Sequence, residues 1–275
     1  MIFRRIKAHV AKEDWFAVFI DFIIVVFGVF MGLQVANWSD ERGDRARETQ
    51  VLQEIAADIQ SDRVRYSGAL NSALNRIAAA TYVLQKTPDT PLRTLQDHDL
   101  LLEGSGYAEA IKANEQLRDL GFNERIESFK PQLWMRIWYL ESVEPSTTAF
   151  ASLVSSGELG ILQDEGLVRS LQQYQTTTAL VLRSQNLTFR PTRDMGIKIG
   201  QQFGMSAFGQ VEEDAFIELV STNAHLAAAL QTQLGWSKAH FLFLTIIDNS
   251  AAELLTQIED ELGISLDGDT TETAP

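Results

Sequence analysis

Residues Trp15 to Trp38 read WFAVFIDFIIVVFGVFMGLQVANW, an apolar run whose only formal charge is Asp21. At about 1.5 Å per residue the run rises about 34 Å as a helix, enough to cross a hydrocarbon core about 30 Å thick. Residues 15–36 carry fourteen Phe, Ile, Val or Leu side chains. On an insertion scale these favour the bilayer by very roughly 6 kcal/mol, against a penalty of at most about 3 kcal/mol for Asp21. Insertion wins. Trp15 and Trp38 fall where interfacial anchors stand, one at each edge of the span.

Two other readings of the run are weaker. A cleavable signal peptide needs a shorter apolar core followed by small residues, and Gln34-Val35-Ala36 is a poor cleavage site. A buried soluble helix would have to cover six of the chain's fifteen phenylalanines between Phe3 and Phe30. An uncleaved anchor in contact with the lipid bilayer is the expectation. Arg4, Arg5, Lys7 and Lys12 precede the span, whereas Arg42, Arg45 and Arg47 follow it. That narrow excess favours a cytoplasmic amino terminus over 1–14 and an outer domain over 39–263. The expected location is a bacterial inner membrane, with the bulk of the chain periplasmic.

One stripe of the span stands apart. Gly28 and Gly32 form a GxxxG, a spacing that lets two helix backbones approach closely. Asp21 lies seven residues before Gly28, and Val25 seven before Gly32, so the four positions share one side of a helix. The stripe is the expected transmembrane interface, and a homo-oligomer is the expected partner state. Two roles remain open to Asp21: an intramembrane functional acid, or a side chain that reaches headgroup water or pairs with Lys12.

Beyond the span, Leu52, Ile55, Ile59, Tyr66, Leu70, Ala73, Ile77, Ala80 and Leu84 recur mostly in steps of three and four. This is an amphipathic helix of coiled-coil or bundle type, continuous with the membrane helix, in which Asp62 and Arg63 interrupt the seam. Pro88 and Pro91 end it. Residues 88–110 read as a connection, and helical patterning resumes from Tyr107 to Leu120 and again from Asn123. Pro131 opens a helix carrying Trp134, Ile137, Trp138 and Tyr139, with both tryptophans as core or interface aromatics. Pro145 is expected to open the next helix. Asp164 is a candidate N-cap for a helix through Leu167, Leu171 and Tyr174. Pro191 with Gly196, Gly200 and Gly204 suggests irregular backbone over 190–210. A final helix is expected from about Asn223 to Leu262, followed by an acidic, disordered tail over 264–275. The fold class is all-α: one N-terminal transmembrane helix continuing into a long-helix antiparallel bundle.

Chemistry is sparse. With no cysteine there is no thiolate ligand or nucleophile, and a net charge of −14 argues against nucleic acid as a partner. His9, His98, His225 and His240 show no metal-binding spacing, and His240 and Asp248 stand eight residues apart on the last helix. Glu212-Glu213-Asp214 and Glu259-Asp260-Glu261 read as solvated faces, because consecutive helical residues diverge. No catalytic residue, metal site or cofactor is expected, and the chain is not read as an enzyme.

Two stretches resemble a known family. Residues 19–42, FIDFIIVVFGVFMGLQVANWSDER, resemble the opening of a widespread family of uncharacterised bacterial single-pass membrane proteins, with Asp21, Gly28, Asn37, Trp38 and Glu41 in the matching places. The segment from Thr148 through Ser156-Gly157-Glu158-Leu159 to Ile161, Leu167, Arg169, Leu171 and Tyr174 is similar to a second recurrent stretch of that family. The resemblance implies a membrane protein with a domain of unknown function and carries no activity. The leading expectation is a membrane-anchored interaction or sensing protein. The alternative is an ion-coupled, stator-like subunit in which Asp21 carries protons beside a multi-span membrane protein partner.

Overall fold

The computed structural model describes residues 15–87, 122–146 and 148–265, and every regular element among them is helical. The basic residues before Trp15, the 88–110 connection, the Tyr107 to Leu120 helix and the tail from residue 266 lie outside the described residues. Two compact units divide the chain, Met1–Leu52 and Gln53–Pro275.

The first helix, α1, runs without a break over Trp15–Gln85. No proline falls inside it, and the polar exit Ser39-Asp40-Glu41-Arg42 continues as helix. In the first unit, every described side chain from Phe22 to Arg47 is exposed. By length and composition both α1 and the last helix are apolar enough to cross a membrane. They differ in cover: the most apolar window of α1 is 0% buried, whereas that of the last helix is 50% buried. The last helix is thus a core element of the second unit.

The second unit begins within α1, where Ile55, Ile59, Tyr66, Ala73, Ile77, Ala80 and Leu84 are buried as the periodicity requires. Helix α2 spans Phe122–Phe129 and passes through a 3-10 turn, Lys130–Gln132, into α3, Leu133–Trp138. Pro131 sits in that turn, ahead of the two tryptophans. An extended stretch follows and contains Pro145, so this proline precedes the next helix and does not open it. Helix α4, Thr148–Ser156, stops at Gly157, whose φ of 77° suits a residue without Cβ.

Asp164 caps α5, Glu165–Ser184, by accepting a hydrogen bond from the Gly166 N–H at 2.6 Å. The helix then widens into one π turn, Gln185–Phe189, and resumes as α6, Arg190–Gln201. The Arg190 N–H reaches back five residues to Gln185 O. Pro191 supplies the cause: it has no N–H, its ring crowds the carbonyl one turn earlier, and a wider turn absorbs both.

Regular helix over 190–201 overturns the expectation of irregular backbone. Gly196 and Gly200 serve close packing: a Cβ on Gly196 would lie 2.0 Å from the Trp138 ring, and one on Gly200 would lie 2.2 Å from Trp134. Tryptophans at i and i+4 thus fit glycines at i and i+4. Helix α7, Glu213–Thr222, is capped by Glu212, and α8 spans Ala224–Leu262 between the Asn223 N-cap and Gly263. Helix α8 packs against α5 and α6.

Candidate functional site

Two regions could carry function: the uncovered segment of α1 and the polar groups buried in the second unit. Helical geometry puts Asp21, Val25, Gly28 and Gly32 within an arc of about 60°. A Cβ built on Gly28 or Gly32 would meet nothing within 4 Å, and Val25 is exposed. Trp38 is exposed too, with the Arg42 guanidinium 5.2 Å from its ring centroid. Trp15 and Asp21 belong to the helix, but their side chains lie outside the described residues.

In the second unit, Asp62 is fully buried and so belongs to the core, although it reads as a break in the seam. Its carboxylate accepts the Ser146 N–H at 2.7 and 2.9 Å and the Tyr174 hydroxyl at 3.3 Å. A carboxylate can only accept, so Tyr174 donates to it, and Tyr66 donates in turn to Tyr174 at 2.8 Å. Burial raises the Asp62 pKa, opposed by the Ser146 bond and by Arg65. Burial likewise raises both tyrosines, leaving them neutral hydrogen-bond donors. One turn earlier, Asp58 accepts the Ala149 N–H at 3.1 Å. These two acids fasten the start of α4 to α1.

A second cluster centres on Arg76, which is 1% exposed and has no carboxylate at ion-pair distance among the described residues. Its guanidinium donates to Tyr139 O at 3.1 Å, Ser237 Oγ at 3.3 Å and His240 Nδ1 at 2.6 Å. Burial lowers the Arg76 pKa to about 9, still high enough to keep it charged at neutral pH. His240 is fully buried, and burial followed by the Arg76 charge holds its pKa well below 6.5. Phe189 of the π turn lies 4.7 Å from the imidazole centroid. No family model, curated protein or solved structure matches this chain. The geometry must speak for itself.

No group of three metal-ligating side chains occurs among the described residues. The cavity beside Arg76 and His240 measures about 10 Å³, and one beside Asp58 and Tyr174 about 20 Å³. Each has room for roughly one water. Larger openings are surface grooves: a polar one of about 340 Å³ near Arg169, Gln173 and Glu253, and one of about 250 Å³ near Trp138, Arg193 and Phe208.

Sequence reading missed the Arg76–His240 pair. It noted only that His240 and Asp248 stand eight residues apart on the last helix, and Asp248 binds Arg63 at 3.1 Å. The available signal was an arginine beside the apolar positions Ala73, Ile77 and Ala80 of a core helix, with a histidine on the core side of another.

Proposed function

We propose that this chain is a single-pass membrane-anchored interaction or sensing protein. Residues 15–38 lie in a bacterial inner membrane, the amino terminus faces the cytoplasm, and the helical domain stands in the periplasm. The observation that carries the reading is the uncovered apolar surface of α1, with Phe22, Ile24, Phe27, Val29, Phe30 and Leu33 all exposed. Each such side chain costs about 1.5–3 kcal/mol when left in water, a cost that a bilayer removes. The likeness of residues 19–42 to single-pass membrane proteins points the same way.

Self-association through the stripe of Asp21, Val25, Gly28 and Gly32 is part of the proposal, supported by the open space over both glycines. An antiparallel helical bundle is supported by the pairs Arg63–Asp248 and Arg76–His240, in which one residue number rises as the other falls.

The test begins with membrane fractions washed in alkaline carbonate. The full chain should stay with the lipid, and a variant lacking residues 15–38 should not. Release of the full chain into the wash would sink the anchor. Particle mass in mild detergent should then be a small multiple of this chain, and Gly28→Ile with Gly32→Ile should lower it. A stoichiometric multi-span companion would transfer the weight to Asp21 and ion coupling.

A further inference from the structure

The Arg76–His240 contact has a chemistry that the anchor does not use. A guanidinium carries only donors, so His240 Nδ1 must present its lone pair to Arg76 across the 2.6 Å contact. The neutral ring therefore holds its hydrogen on Nε2, which is buried and has no hydrogen-bond partner among the described residues. Any group that occupies Nδ1 displaces Arg76. The adjoining cavity, about 10 Å³ and lined in part by Phe189, Gln233 and Trp236, admits at most one water. A metabolite or polyatomic ion does not fit, but a proton does.

We propose that the Arg76–His240 contact is an acid-operated latch, in which protonation of His240 at Nδ1 expels Arg76 and frees α8 from the segment Tyr139 to Val143. The proton takes the lone pair that Arg76 was using. Two N–H groups then face each other, and two cations share a buried site with no carboxylate at ion-pair distance among the described residues. Through its other bonds the same guanidinium holds Tyr139 O and Ser237 Oγ, so its departure loosens three segments together.

Among the described residues, charged neighbours do not rescue the protonated state. From α1 the group facing His240 is Arg76. From the stretch after α3, Glu141 acts electrostatically on Arg76, with its carboxylate against Gly68. The π turn contributes uncharged Phe189, and Arg190 beyond it donates to Ser142 Oγ. On α8 itself, Trp236, Ser237 and Phe243 are uncharged, and Asp248 is engaged by Arg63. Neutral bonds from Gln185 to Val143 and from Gln233 to Ile137 O hold the ends of the loosened stretch in place.

This latch deepens the sensing reading by naming its stimulus, yet it lies wholly in the second unit and stands or falls separately from the anchor. Full-length protein in neutral detergent is followed by hydrogen exchange from pH 7.5 to 4.5, corrected for intrinsic pH dependence. Residues 138–142 and 236–245 should exchange at least tenfold faster at the acid end, while 167–181 stay protected. His240→Asn keeps an acceptor but does not titrate in this range, so the acceleration should disappear. Histidine NMR of the wild-type protein covers the case in which that variant fails to fold. It should find the Nε2–H tautomer at pH 7.5 and protonation coincident with opening. An Nδ1–H tautomer, acid opening unchanged in His240→Asn, or simultaneous exposure of 167–181 would overturn the latch and leave the carbonate-wash result untouched.

Discussion

The molecule uses the same glycine spacing twice, with opposite results. Over Gly28 and Gly32 an added Cβ would meet nothing within 4 Å, but over Gly196 and Gly200 it would strike tryptophan rings at 2.0 and 2.2 Å. Two glycines one turn apart make a shallow groove on a helix and say nothing about what fills it. In α6 the filler is internal: Trp138 and Trp134 on α3, with Trp134 Nε1 donating to Ser206 O at 2.9 Å. In α1 the groove lies open in a helix segment whose side chains are exposed. A GxxxG therefore becomes informative only beside the burial of its neighbours.

The comparison can be broken from the filled side first. Trp138→Ala should lower unfolding free energy by about 3–5 kcal/mol, as large-to-small core changes do, read by urea denaturation of the full chain in detergent. A loss below about 1 kcal/mol would mean that the ring does not fill the Gly196 groove. Gly196→Ala and Gly200→Ala should each cost about 1–3 kcal/mol by overpacking, since the rings cannot give 1 Å without moving α3. Equal stability in either variant would remove the reciprocal fit.

Acid sharpens the contrast between the units, because His240 belongs to the second alone. Its native pKa lies below the ordinary 6.5, so between those values the unfolded state binds the extra proton. Stability is complete above about pH 6.5 and falls as pH drops, with a slope of at most about 1.4 kcal/mol per pH unit. Comparing His240→Asn with wild type isolates this slope. Asp62 works in the opposite sense above pH 3.8, since the native state keeps a proton that the unfolded state gives up there. That contribution is common to both proteins and drops out. The smallest effect belongs to Gly28→Ala or Gly32→Ala, which should change urea stability of the second unit by less than about 0.5 kcal/mol. A larger change would mean that the α1 groove has a protein filler within the chain.

Much of the fold was legible because its signals are local. Asn223 accepts the Leu226 N–H and Gly263 adopts φ 64°, so the ends of α8 could be read from capping chemistry. Asp164 did the same for α5. Helix α6 was misread because glycine and proline lower local propensity, and the compensation comes from tryptophans more than fifty residues away in sequence. Polar residues on core helices were the hardest to interpret. Asp62 resembled an interruption, and Arg76 resembled an ordinary charge, until their partners on other segments came into view. Trp134 and Trp138, expected as core or interface aromatics, are buried in the core, though nothing local identified their glycine sockets.

The carboxylates of Asp58 and Asp62 have a kinetic consequence. Helix α4 has nine residues, too few to persist alone in water, and the Ala149 N–H in its first turn and the Ser146 N–H just before it are satisfied by acids more than eighty positions earlier. Its first turn cannot be completed until α1 has formed and the intervening chain has closed a long loop. Appearance of α4 during refolding therefore times the arrival of two distant segments, not a local coil-to-helix event.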